Sequence, residues 1–78
     1  MHISPTQSKA AVAVWRTLLN DQTTLLERPG AHHKLLIDRA RDMHLLDIVG
    51  RDELCEMLEL ADAALEYAIE ANLDSEVA

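Results

Sequence analysis

The sequence predicts an all-α protein, either a three-helix up-down-up antiparallel bundle or a long helical hairpin with a third helix alongside. Composition is the first reason. Leu and Ala supply most of a 49% hydrophobic content, Phe is absent, and Trp15 and Tyr67 are the only aromatics; strands would want more β-branched and aromatic residues, whereas Leu and Ala suit helices. Apolar residues also recur at spacings of three and four along almost the whole chain, the period of an amphipathic helix. Finally, two Gly and two Pro leave room for few turns. At 78 residues the chain is bounded to one small domain, 1–78.

The first helix is expected over about 5–28. Ser4 can cap its open amides, Pro5 suits the first helical position, and Gln7 stands at the reciprocal capping-box site. Ala11, Trp15, Leu18, Gln22 and Leu25 then mark one stripe, which Val14, Leu19 and Leu26 widen. The polar run Asn20 to Thr24 is the weak point. Because the apolar phase carries across it, one continuous helix is preferred, with a break near Asn20-Asp21 as the alternative. Pro29-Gly30 should end this helix, since the residue before Pro avoids helical geometry and Gly readily takes positive φ.

A second helix is expected over about 31–46, with Leu36, Ala40 and Met43 as its stripe and Leu35, Ile37 and Leu46 at the margins. Gly50 then breaks the chain and stands as cap of a third helix, 51–72, in which Asp52 and Glu53 suit the positive helix end and Val49 is placed to pack on Leu54. Leu54, Met57, Leu58, Ala61, Leu65 and Ala68 form its core stripe. Residues 73–78 should fray. Short turns make the three helices antiparallel neighbours.

Charge is unevenly placed. The net charge is −7. Residues 1–50 hold six bases against five acids, whereas 51–78 hold nine acids against Arg51 alone, a net of −8. Phosphate affinity comes largely from cations that displace counterions, so the acidic third does not suit a nucleic-acid surface. A helix-turn-helix reading fails for the same reason, because Asp52, Glu53, Glu56 and Glu59 would meet the phosphates and Lys34, Arg39 and Arg41 are interleaved with Asp38 and Asp42. No run approaches the roughly 18 apolar residues of a membrane span, and Met1-His2-Ile3-Ser4-Pro5 lacks a signal-peptide pattern. A soluble cytoplasmic protein is the expectation.

Catalytic chemistry finds little to work with. His32 and His33 are adjacent, so they point about 100° apart on a helix, and His44 lies roughly 16–18 Å further along; zinc ligands want one face. Both His32 and His33 are expected to be exposed in a first helical turn. Cys55 has His44 as its only plausible base, with no orienting third group and no Gly-rich oxyanion loop, and is expected to be a buried or half-buried packing residue. Carboxylates are abundant in the third helix, yet no pair is singled out by burial. No phosphate loop or nucleotide motif is present. The expectation is no enzyme, no metal, no cofactor and no small-molecule substrate.

What remains is surface. A second apolar set, Leu60, Ala64, Tyr67 and Ala71, accompanies the core stripe of the third helix. A core of this size supplies only about 3–5 kcal/mol, and surplus apolar surface calls for a second chain. The sequence therefore predicts a helical interaction module, a regulator, inhibitor or adaptor, which binds a larger protein or itself as a homodimer through an apolar face with an acidic rim. Trp15, Leu60 and Tyr67 are the anchor candidates and Glu56, Glu59, Glu66 and Glu70 the rim. Against this stands the plain reading that Trp15 fills the core and the carboxylates form a solvated face. The rival function is an acidic nucleic-acid mimic, in which the same four Glu residues occupy the basic groove of a DNA- or RNA-binding protein.

Overall fold

A computed structural model describes residues 5–76, with side chains from 6 to 74. Four helices follow one another: α1 (Pro5–Leu19), α2 (Gln22–Glu27), α3 (Pro29–Leu45) and α4 (Arg51–Glu76). No strand occurs among the described residues, and the fold is all-α. The molecule is elongated, 52 × 18 × 15 Å, because α4 alone, at about 1.5 Å per residue, is about 39 Å long.

The preferred continuous helix over 5–28 is not what forms. The alternative break does, and Asp21 is its cause. The Asp21 carboxylate accepts from the Thr24 amide at 3.3 Å and from the Thr24 hydroxyl at 2.8 Å, so it caps α2 and offers the backbone a competitor to helix continuation. α1 closes through Asn20 N–H to the Arg16 carbonyl at 3.0 Å and Asp21 N–H to the Leu18 carbonyl at 3.2 Å. The Ser4 cap lies outside the described residues.

The next corner is sharper than expected. Arg28, held at φ −140°, ψ 69° ahead of Pro29, both ends α2 and begins α3. Its amide reaches the Thr24 carbonyl at 2.9 Å, and its own carbonyl receives the His32 amide at 2.9 Å. Pro29 does not merely stop the preceding helix. It opens α3 from the first position, where its missing N–H is no loss, and Gly30 is helical without positive φ.

α3 ends in a Schellman turn. Ile48 N–H reaches back to the Met43 carbonyl at 2.8 Å and Asp47 N–H to that of His44 at 3.0 Å, with Asp47 in the left-handed region at φ 59°. Gly50, where the sequence suggests a cap, accepts the Leu54 amide at 2.9 Å. His44 fastens this connection, donating from Nδ1 to the Val49 carbonyl at 3.1 Å. α4 extends to Glu76, past the expected end at 72, so residues 73–76 are helical; 77–78 lie outside the described residues.

α3 and α4 form the antiparallel hairpin that carries the core. Leu36, Ala40, Met57 and Ala61 are all buried at its centre, with Val49 at the closed end. The two alanines leave room for close approach of the helices. α1 adds Trp15 and Leu19, and the indole N–H of Trp15 donates to the Leu36 carbonyl at 3.0 Å. Leu18 and Leu26 sit near the ends of α1 and α2, where carbonyls lose their helical partners. Side chains from the hairpin meet both: His32 Nε2 donates to the Leu18 carbonyl at 2.7 Å, and Asn72 Nδ2 to the Leu26 carbonyl at 3.2 Å.

His32 is thus buried at 1% exposure, a correction to the expected exposed first turn. Since a carbonyl only accepts, Nε2 carries the proton and buried Nδ1 is left without a protein partner. Replacing His32 by Leu removes one of the two donors to the Leu18 carbonyl, Asp21 N–H being the other, and should cost about 0.5–1.5 kcal/mol, lowering the melting midpoint by about 4–8 °C per kcal/mol. His32→Gln, which keeps a donor, should recover part of this. An unchanged midpoint in His32→Leu would show that the contact contributes nothing.

Thr24's hydroxyl and amide hold the Asp21 carboxyl below its ordinary value of 3.8, with His32 adding a smaller electrostatic pull. A depressed folded-state pKa means that the stabilisation is complete above 3.8 and fades as pH falls through the folded value. Asp21→Asn keeps an acceptor for the cap but does not titrate. Its urea midpoint should therefore fall less than that of the wild type between about pH 5 and pH 2, and parallel acid limbs would refute the assignment.

Candidate functional site

α1 and α3 do not close fully on each other. Between them runs an open groove of about 430 Å³, with Val14 and Leu18 on the α1 wall, Met43 and Leu46 on the α3 wall, and Arg39 and Asp42 beside them. Trp15 forms part of its lining. Val14 is 71% exposed and Leu46 63%. Helical geometry explains the first value, because Val14 stands about 100° from Trp15, so turning the indole into the core swings the valine to the lip. Leu46 is the cap residue of α3, where the chain turns away.

The sequence-predicted anchors divide three ways. Trp15 is core, 3% exposed, with its N–H already committed to Leu36. Leu60 is half-buried against the core and shares a shallow depression with Arg16, Glu56 and Glu59. Tyr67 is exposed. Glu56, Glu59, Glu66 and Glu70 are all exposed on α4, and none makes a salt bridge among the described residues. The helix brings Glu56, Glu59 and Leu60 together, while Glu70 lies about 21 Å along the axis from Glu56. No α4 carboxylate lines the groove, so the groove and the acidic stripe are separate surfaces, while Tyr67 and Ile69 stand exposed on the same helix as that stripe.

The groove's own residues were only half visible in the sequence. In the sequence Leu46 falls at the margin of its stripe, and Arg39 and Asp42 stand as charges interleaved with their opposites. The available signal is spacing: Arg39, Asp42 and Leu46 follow at 3 and 4 residues, which sets them on one side of α3, with Leu35 on the same side beyond the groove.

His33 is also corrected. Its side chain is only 26% exposed, and Nε2 lies 2.8 Å from Asp62 Oδ1 on α4. With His32 on Leu18 and His44 on Val49, each of these histidines spans elements of the fold. Among the described residues no three His, Cys, Asp or Glu side chains gather as a metal site would require. No described helix is long and apolar enough to cross a membrane. No protein-family model, curated protein or solved structure matches this chain.

Cys55 departs from the expected packing role and is exposed. It stands two residues before Met57, about 200° around α4, so burial of Met57 turns the thiol outward. A disulfide reagent should therefore modify one thiol per chain promptly in native buffer. A reaction that waits for denaturant would contradict this placement.

Proposed function

We propose that the chain is a small protein–protein interaction module, a regulator, inhibitor or adaptor, working in the cytoplasm, where its single thiol stays reduced. In this reading the α1–α2 rod, α3 and α4 alternate up, down and up, and the module binds a larger protein or a second copy of itself. The observation that carries it is the groove between α1 and α3, whose lips expose Val14 and Leu46. Large aliphatic side chains held in water on both walls of one groove gain about 25 cal/mol for each Å² that a partner covers. The reading assigns no reaction to the chain.

Val14→Glu tests this without disturbing the core. Wild-type protein should sediment at micromolar concentration as a dimer, or retain a partner from cells, and Val14→Glu should abolish that association. A monomer whose captured proteins match those of Val14→Glu would overturn the proposal.

A second reading, the nucleic-acid mimic, is favoured by the exposed and unpaired Glu56, Glu59, Glu66 and Glu70. A mimic's complex should weaken steeply from low to moderate ionic strength, whereas an apolar interface should respond little. The double reversal Glu59→Lys, Glu66→Lys should abolish binding by a mimic; full retention of the partner would exclude that function.

A further inference from the structure

We infer that the groove between α1 and α3 is occupied by a second copy of this chain, seated antiparallel about a two-fold axis that passes between Arg39 and Asp42. This rests on the interaction-module reading and names its partner. The stripe Leu35, Arg39, Asp42, Leu46 reads the same in both directions as a pattern of apolar, charged, charged and apolar positions, spaced 4, 3 and 4 residues. Two-fold contacts are isologous, so whatever faces a residue from the other copy must be complementary to it. An axis midway between residues 39 and 42 sets Leu35 against Leu46 of the second copy and Arg39 against Asp42, twice over.

The geometry of α3 suits this pairing. Arg39 and Asp42 stand about 4.5 Å apart along the helix axis, and Leu35 and Leu46 about 16.5 Å, so two charged pairs sit at the centre with an apolar pair at each end. Spacings of four and three are those of helices packed side by side at a shallow angle. Leu35 is 37% exposed and Leu46 63%. Val14, on the facing wall, contributes further apolar surface.

Charge favours a second copy over an unrelated protein. Lys34 and Asp38 on α3 satisfy each other at 2.9 Å, yet neither Arg39 nor Asp42 makes a salt bridge among the described residues. Each chain therefore offers one cation and one anion in the positions that another copy complements. α4 does the opposite, because its outer face carries Glu56, Glu59, Glu66 and Glu70 and would meet itself with like charges. The near-neutral α1–α3 side is the face on which two copies can approach.

Charge reversal provides the test. Sedimentation at micromolar concentration should show a dimer for the wild type. Arg39→Asp sets Asp against Asp and Asp42→Arg sets Arg against Arg, and each alone should weaken the dimer by about tenfold or more. Mixed one to one, these two variants should associate with each other, because the mixed pair restores both opposite-charge contacts. Leu46→Asp should yield monomers at concentrations where the wild type is dimeric. Circular dichroism should show all three variants as helical as the wild type, since the substituted side chains are exposed. A wild-type dimer indifferent to all three substitutions would overturn this inference and leave self-association through another face. A monomeric wild type whose larger partner is lost in Val14→Glu would also overturn it while the interaction-module reading stands. A monomer without such a partner would remove both.

Discussion

A carbonyl at the end of a helix must find a donor, and two such groups lie where this chain bends. The carbonyls of Leu18 and Leu26 are met by His32 of α3 and Asn72 of α4. The Leu18 carbonyl also accepts Asp21 N–H, and each hydrogen bond from the hairpin adds about 0.5–1.5 kcal/mol, a useful part of what so small a core supplies. These hydrogen bonds tie the bend between α1 and α2 to the hairpin, and so help to set α1 and α2 against α3 and α4. Packing follows the same assignment: the indole of Trp15 reaches the Leu36 carbonyl in the middle of α3, and Leu36 is fully buried.

Much of the fold was legible because its burial is periodic. The phase that runs through Trp15 and Leu25, then Leu36 and Ala40, then Met57, Ala61 and Ala68 marks buried residues, whereas Gln22 and Val14 of the first stripe and Leu35 and Leu46 at the margins of the second are exposed. The break at Asn20-Asp21 was readable only as an alternative, since a capping carboxylate and a surviving apolar phase point in opposite directions and the outcome depends on Thr24 answering Asp21. Pro29 was read as a stop although the same residue starts the next helix. A proline signals a corner, but the width of that corner depends on whether Arg28 can serve both sides.

Polar residues were the poorest guide. His32, His33 and His44 carry no apolar phase of their own, so the hydrogen bonds of His32 and His33 to Leu18 and Asp62 depend on neighbours remote in sequence, and that of His44 to Val49 on the turn that follows α3. Burial of His32 was hidden because periodicity identifies a face without revealing which polar residues on it have found a carbonyl. Cys55 erred in the other direction: the habit of free cysteines to pack inside is a statistical tendency, whereas the angle from Met57 around α4 was already available and pointed outward.

The groove between α1 and α3 and the carboxylates of α4 occupy different parts of this rod, and that placement constrains any assembly it joins. The −8 carried by residues 51–78 would make a contact of α4 with another α4 repulsive over about a Debye length, about 8 Å at physiological salt. The groove lies between the other two long helices, where charges of both signs stand beside aliphatic side chains. In the proposed dimer the acidic faces therefore point outward, free to steer a third molecule, while the joined grooves remove Val14 and Leu46 from water. Association of this kind also stabilises the fold by mass action, because a surface that exists only in the folded chain draws the equilibrium toward it as concentration rises.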